Sequence, residues 1–577
     1  MYSISNQGKI PSRQEFYRAI SSFSLRQKIY LFILAIIFIG SIVGIVWKFN
    51  NRLLVDAAVP GGILTEGIVG FPSHINPLLA ITDPDRDLTT LVYSGLMKIA
   101  NSGEIIPDLA ETYSISPDGL IYTFTLKKGL TWQDGQDLTT DDIEFTIQKA
   151  QDSNLKSPKR AAWEGVRVDK IDAQKIRFIL KKPYSTFLEN TTLGILPKHI
   201  WKNIKTEAWL LSEQNLTGIG SGVYKISSLS RNSSGLPQSY NLKSFKNYAL
   251  GEPKISSLFF KFYDNEEQLI KAYERGEIES FSSIPPETAM TLKKNGGAIR
   301  EISLPRSFAV FFNQNQTIFA DKSVRQALSL ATDKQKIVDE VLKGFGTTLD
   351  NPISPGSIGF LAEAEKTKPD IKVATALLEK NGWKKGADNI YFKTDKKKKP
   401  IFLQFVLATS NVPELKATAQ ELAMQWAKIG AKVSVQVYDL SDLDQNLIRP
   451  RKFEALLFGE VLGRNPDLYS FWHSSQRAAP GLNITQYTNQ TADKLLEDAR
   501  KQTDQSIRID KYEKFQTELA KDIPAIFLYS PSFLYILPEK IKGVEFPSLL
   551  NPAERFSTIQ NWYINTEKVW GFFTTKK

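Results

Sequence analysis

Hydrophobic positions along this chain follow two different rules on either side of residue 60. From Ile29 to Trp47 the residues read IYLFILAIIFIGSIVGIVW, nineteen positions without a charge. As a helix this stretch spans about 28 Å, close to the hydrocarbon thickness of a bilayer. It exceeds the apolar region of a secretory signal, and the only nearby cleavage-like run, VDAA at 55–58, contains Asp56. We read residues 29–48 as an uncleaved transmembrane helix, with a removed signal as the alternative. Arg13–Phe23 ahead of it reads as a short amphipathic helix on the inner surface, or as disordered chain. Lys and Arg crowd the N-terminal flank, with Arg26 and Lys28 at the boundary. By the positive-inside rule, residues 1–28 are cytoplasmic and the chain from residue 49 lies outside.

Beyond a short tether at 49–60, strand and helix periods intermix. Alternation marks strands at Ile63–Ile68, Ile121–Lys127, Ile176–Leu180, Gly222–Ile226, Ser239–Phe245, Ser257–Phe262, Phe308–Asn313, Ile401–Ala408, Lys432–Tyr438 and Ala525–Tyr529. Helical spacing marks Asp87–Ile99, Thr139–Ala150, Glu266–Glu274, Lys322–Thr332, Lys334–Lys343, Val373–Asn381, Pro413–Ile429 and Thr491–Lys521. The turn Ser116-Pro117-Asp118-Gly119 makes a hairpin with the strand after it. Thr139 and the acids behind it suit a helix start. The chain passes into a new unit near Ser303–Arg306, and residues 530–577, rich in aromatics and Pro, pack back on an earlier one. There is no short repeat. Such mixing means α/β or α+β.

Composition narrows the function. Net charge is +11, of which residues 1–58 hold +5, leaving +6 over the long remainder. That excess is too thin for a nucleic-acid stripe, so no nucleic acid is expected as partner. The dense run Lys396–Lys399 follows Asp395 and reads as a solvated hairpin turn. Cysteine is absent, which removes disulfides, thiolate metal sites, thiol nucleophiles and a lipoprotein anchor. The chain has no phosphate-binding loop, no HExxH and no GxSxG. GIGSG at Gly218–Gly222 lacks dinucleotide spacing and reads as a place where backbone passes closely. His74, His199 and His473 have no ligand-like spacing. Ser153 and Lys156 match SxxK without the partner motifs of a serine acyl enzyme, and Asp141–Asp142 are explained by a helix start. No catalytic constellation, metal or cofactor is expected. Aromatics are dense, with 34 Phe, 20 Tyr and 10 Trp. Most such residues build cores, and a minority line ligand clefts.

Several stretches carry a specific pattern. Pro107–Glu111 is followed by SPDGLIYTFTLKKGLTWQDGQDLTTDDIEFTI, and NPLLAITDPDRDLTTLVYSGLMK precedes both. Further on come VFFNQNQTIFADKSVRQALSLATDKQKIVDEVLKGFGT, NPISPGSIGF, ATALLEKNGW and NPDLYSFWHSSQ. Together they resemble the family 5 solute-binding proteins, the dipeptide, oligopeptide and nickel class of ABC importers, from about residue 61 to 530. The resemblance implies a two-lobed type II periplasmic-binding fold with an extra subdomain on the first lobe. Residues 61–305 and the returning 526–577 would form lobe I, and 306–525 lobe II, with hinges near 303–306 and 524–528. It also implies capture of a peptide by lobe closure, delivery to permease subunits served by cytoplasmic ATPases, a monomeric chain and no catalysis.

In peptide-binding members an aspartate just ahead of the NPDLYSFW-like stretch meets the ligand amine. Here an ungapped reading puts Leu462 at that place. Glu460 is then the candidate negative charge, and Arg464 the candidate partner of a ligand carboxylate, unless both lie outside the cleft. By the same resemblance Ile81, Thr82 and Asp83 lie near the ligand on the first lobe, bordered by Gly220–Tyr224 with Tyr224 as candidate. Phe312, Asn313, Trp472 and Tyr487 are candidates on the second. A metal chelate, glutathione, an opine or an oligosaccharide are alternative ligands. A surface peptide sensor or chaperone without a transporter is an alternative role, and a hydrolase using Ser153 a more distant one.

Overall fold

The computed structural model describes residues 12–184, 186–361, 368–464, 466–502, 504–546 and 549–570. The ends of the expected cytoplasmic segment and of the returning tail, 1–11 and 571–577, lie outside the described residues, as does Asn465 of the NPDLYSFW stretch. The chain divides into two compact units: Met1–Val59 with Asn565–Lys577, and Pro60–Ile564.

The first unit begins with a helix at Arg13–Ser21, followed by one at Leu25–Leu53. The Ser24 amide donates to the Gln27 side chain at 2.9 Å and so opens the long helix with a satisfied backbone group. No residue of this helix is buried. By length and composition this helix is long and apolar enough to cross a membrane. Residues 49–60 are more ordered than a tether. The helix runs to Leu53 and passes directly into a strand, Leu54–Val59, paired antiparallel with Asn565–Trp570.

The second unit is a mixed α/β body organised on one sheet. Its strands run in the order Lys432–Tyr438, Gln404–Ser410, Ala455–Val461, Arg306–Phe312, Ala525–Ile536, Ser280–Ser282, Ile63–Val69, Ser257–Tyr263, Pro237–Ser244 and Tyr224–Arg231. Ala525–Ile536 holds the sheet together, twelve residues long where sequence alternation marks only the first five. Its first half pairs with Arg306–Phe312 and its second half with Ile299–Ser303. The partner therefore changes between Tyr529 and Ser532, opposite Leu304–Pro305.

Apolar packing follows the same division. A large core draws on residues between Leu64 and Leu304 and between Phe533 and Trp562. Two more lie on opposite faces of the strands between Ala309 and Tyr529. A small fourth core is built around Leu269, Phe281, Leu292 and Phe345.

Local chemistry explains where several elements start and stop. Thr139 caps Thr140–Gln151, its amide held by Asp142 at 3.0 Å. The hairpin at Ser116–Gly119 forms as read, with Gly119 at φ +69° and the Leu120 amide on Asp118. At Lys396–Lys399 the Asp395 carboxylate accepts from the Lys397 and Lys399 amides, each at 2.8 Å, and the lysines project from that turn.

The helix expected at Asp87–Ile99 is instead Asp83–Val92, followed by a strand at Met97–Ile99. Pro84 and the Thr82 cap start it early. It ends because the Val92 carbonyl accepts from the Gly222 amide at 2.8 Å. A Cβ on Gly220 would overlap that same carbonyl, and one on Gly222 would lie 2.5 Å from its carbon. GIGSG is therefore the close backbone passage that its glycines suggest. Thr491–Lys521 is two helices, Gln490–Lys501 and Gln505–Asp522. Asp504 caps the second by accepting from the Ser506 amide at 2.8 Å, which breaks the run.

Candidate functional site

Of the residues expected from the sequence, Glu460 lies beside the place where the sheet changes partners, and Asp83 acts on Arg306 there. On the first-core side, the loop residue Ile81 is exposed. Thr82 Oγ1 accepts from the Asp85 amide at 3.3 Å and so fixes the start of the helix behind it. Asp83 lies in that helix's first turn, 3.9 Å from Arg86. Its field also reaches Arg306, the first residue of the strand Arg306–Phe312, whose guanidinium burial holds below its ordinary range and Asp83 pulls back up.

On the second-core side, strand register puts Glu460 directly opposite Ser307. Residues paired this way share one face of the sheet. Glu460 is buried, and its Oε2 has no hydrogen-bond partner. The Ser307 hydroxyl beside it also lacks one. Burial without a compensating charge pushes the Glu460 carboxyl up to about 8. Two residues on, Leu462 occupies the place expected to hold an aspartate, and its side chain is in the core.

Arg464 leaves this strand end and forms a buried ion pair with Glu554. The Glu554 carboxyl is raised by burial, against the pull of Arg464. Glu189 is likewise raised by burial, with Arg464 lowering it and Glu554 raising it. Lys159 is lowered by burial and by Arg86, with Glu554 opposing. The Ile358 amide donates to the Arg464 carbonyl at 3.0 Å, which ties the NPISPGSIGF segment to the same corner. Arg464 thus already answers a protein carboxylate.

The remaining expected residues lie elsewhere. Tyr224 is enclosed in the first core, its hydroxyl donating to the Ile255 carbonyl at 2.9 Å. Phe312 stacks on Phe319 with ring centroids 4.7 Å apart. Asn313 donates to the Arg451 and Phe453 carbonyls at 3.0 and 2.9 Å. Trp472 packs against Phe311 and Phe527, and Tyr487 donates to Asp522 at 3.0 Å. The three histidines have separate partners: His74 faces the Leu210 carbonyl, His199 faces Asp134, and His473 faces Glu497.

Sequence reasoning missed the support behind the site. Arg555, fully buried, binds Asp87 through two bonds of 2.8 and 2.5 Å and Glu66 at 3.0 Å. Glu66 in turn accepts from Tyr535 at 2.9 Å and from Ser280. Two carboxylates share one guanidinium, and burial outweighs Arg555 in lifting Asp87 to about 6. This network fastens the Asp83–Val92 helix to the sheet and so sets where Ile81–Asp83 can be. A lone Glu within the apolar strand ILTEGIV was the available signal.

A family model described as bacterial extracellular solute-binding proteins, family 5 Middle, matches residues 104–483. The chain is similar to the oligopeptide-binding protein AppA of Bacillus subtilis, at 30% identity over 515 residues, covering 87% of this chain and 92% of that protein. The structure of AppA in complex with a nonapeptide superposes with a TM-score of 0.64, at 29% identity over 88% of this chain and all of the other. NikZ from Campylobacter jejuni, solved with Ni(L-His), superposes with a TM-score of 0.65 at 25% identity, covering 87% of this chain and 99% of its own.

Proposed function

The chain belongs to the bacterial extracellular solute-binding proteins of family 5, and from that premise we propose that it captures peptides outside the cell and hands them unchanged to an ABC permease. In this reading residues 61–305 with the returning 530–564 form one lobe and 306–529 the other, the second crossing falling a few residues later than the 524–528 expected, because Ile526–Tyr529 still pair with Arg306–Phe312. The chain crosses between them twice, at Ser303–Arg306 and within Ala525–Ile536. A ligand held between the lobes stabilises the closed state by the contacts that exist only there. Ile29–Trp47 stays in the membrane as an anchor and the two-lobed body is extracellular. The protein acts as a monomer and breaks no bond; ATP is used by its partners inside the cell.

The observation that carries the reading is Glu460, a buried carboxyl at the crossing whose Oε2 lacks a partner. A buried acceptor of this kind costs free energy until a donor arrives, and a cationic donor recovers the most. The ammonium group of a peptide fits that need. AppA, the similar oligopeptide-binding protein, supports the peptide as the class.

The test is calorimetric binding of peptides with free and acetylated N-termini to the full chain. Acetylation is expected to weaken binding by about 10- to 100-fold, the worth of one charge-assisted hydrogen bond. Glu460→Gln is expected to abolish that discrimination. Equal binding of the two peptides by the unaltered chain removes Glu460 from recognition, and no peptide binding at all removes the peptide.

A further inference from the structure

The first unit carries an arrangement that a simple anchor does not need. The Leu25–Leu53 helix continues into Leu54–Val59, and six residues of that strand pair with Asn565–Trp570, from Leu54↔Trp570 at the helix end to Val59↔Asn565 at the far end. The ribbon is graded. Its two pairs nearest the helix are Leu54↔Trp570 and Val55↔Val569, all apolar. The next two, Asp56↔Lys568 and Ala57↔Glu567, bring charges, and the last two end on Thr566 and Asn565. Beyond a last stretch of helix that carries Lys48, Asn50, Asn51 and Arg52, the ribbon thus opens with an apolar zone about 7 Å long before its charged pairs begin.

The ribbon is also fastened to the helix. The Trp570 indole N–H donates to Asn50 Oδ1 at 2.7 Å. Asn50 lies about one turn beyond Trp47, the last residue of the uncharged span, so Trp570 is tied within about one turn of where that span ends. Trp47, Phe49, Val55 and Trp570 are all exposed. A two-stranded ribbon is marginally stable by itself in water, and Trp is favoured where hydrocarbon meets headgroups.

We infer that the Leu54–Val59/Asn565–Trp570 ribbon is a membrane-surface collar, seated in the outer headgroup region with Trp47 and Trp570 as its interfacial residues. The partner is the lipid surface. The collar holds both strands of the ribbon at the bilayer. It also places all of 55–58, the cleavage-like run, inside a paired strand, where a peptidase that needs extended, unpaired substrate finds none. This inference rests on the anchor reading above.

The chain's ten tryptophans give a direct test. Trp132, Trp163, Trp201, Trp209, Trp383, Trp426, Trp472 and Trp562 are buried, which leaves Trp47 and Trp570 as the exposed emitters. The full chain is reconstituted into phosphatidylcholine vesicles containing brominated acyl chains, and quenching is compared with that of Trp570→Phe and Trp47→Phe. The collar predicts that each substitution removes part of the quenchable emission. Quenching that depends on Trp47 alone overturns the collar and leaves the anchor standing. No quenching of either overturns the anchor, and the collar with it.

A second measurement covers misfolding of Trp570→Phe. The natural chain has no cysteine, so Ala57→Cys/Glu567→Cys places two thiols at directly paired positions. They are expected to form a disulfide in the vesicles when a mild oxidant such as copper phenanthroline with dissolved oxygen takes up the two electrons, whereas Val55→Cys/Asn565→Cys, four residues out of register, is not. Equal cross-linking of the two pairs, or none of either, overturns the ribbon.

Discussion

Replacing Glu460 by Gln should make this protein more stable and a poorer binder at the same time. In the folded chain burial raises the carboxyl from 4.5 to about 8. Below pH 4.5 it is protonated in both folded and unfolded states and imposes no pH-dependent cost. Between 4.5 and about 8 the unfolded chain releases the proton and the folded chain keeps it, so stability falls as pH rises. Each pH unit in that window costs about 1.4 kcal/mol, which sums to about 3 kcal/mol at pH 7 and about 5 kcal/mol above pH 8. Gln keeps the shape of the protonated acid and removes the titration. Urea midpoints of both proteins, measured in neutral detergent from pH 4 to 9, should therefore diverge through the window and run parallel above it.

Ligand binding gives the opposite sign. If an ammonium group pairs with ionised Glu460, capture releases its proton, and affinity rises about tenfold per pH unit up to about pH 8. The Gln variant should bind more weakly and without that slope. A stability difference that stays constant between pH 4.5 and 8 refutes the argument that Glu460 is held protonated by burial. A stabilised variant with unchanged peptide affinity refutes its role in binding.

Other substitutions probe what holds the site in place. Arg555→Met leaves Asp87 and Glu66 buried without their guanidinium and should cost about 3–5 kcal/mol in urea unfolding. The loss should shrink as pH falls towards about 6, because without Arg555 Asp87 takes up its proton already above that value; an equal loss at pH 5 and pH 8 contradicts the shared-charge account. Gly220→Ala drives a methyl group into the Val92 carbonyl and should cost about 1–3 kcal/mol, whereas Gly235→Ala, at a turn with open space around it, carries only the strain of its positive φ and should cost less in the same assay.

Much of the architecture could be read from local chemistry. Thr139 with Asp142, Asp118-Gly119 and the glycines at 218–222 each have one structural use, and the strands and helices there fall close to where they were expected. Elements set by distant partners were less visible. Leu96, Met97 and Ile99 continue a helical spacing, yet the helix stops at Val92 because a backbone amide more than a hundred residues away takes its carbonyl. The long Ala525–Ile536 strand looks short because its residues beyond Tyr529 face a different set of strands.

The candidate site divides in the same way. Glu460 stands out as the negative charge near a missing aspartate, but its burial and its pairing with Ser307 come from strand register, which a single sequence does not display. Phe312, Asn313, Trp472 and Tyr487 share the aromatic and amide character of cleft residues, and only packing places them in cores and loop supports. Asp87 and Arg555 are separated by most of the chain, so nothing in the local pattern of either announces their contact.

The central claim is that the crevice between the two lobes encloses peptides and leaves them intact. Mass spectrometry of the solute released by mild denaturation from the full chain, purified from its native membranes, tests it most directly. The account predicts peptides of mixed sequence with free N-termini; a single metal chelate or sugar in their place contradicts it.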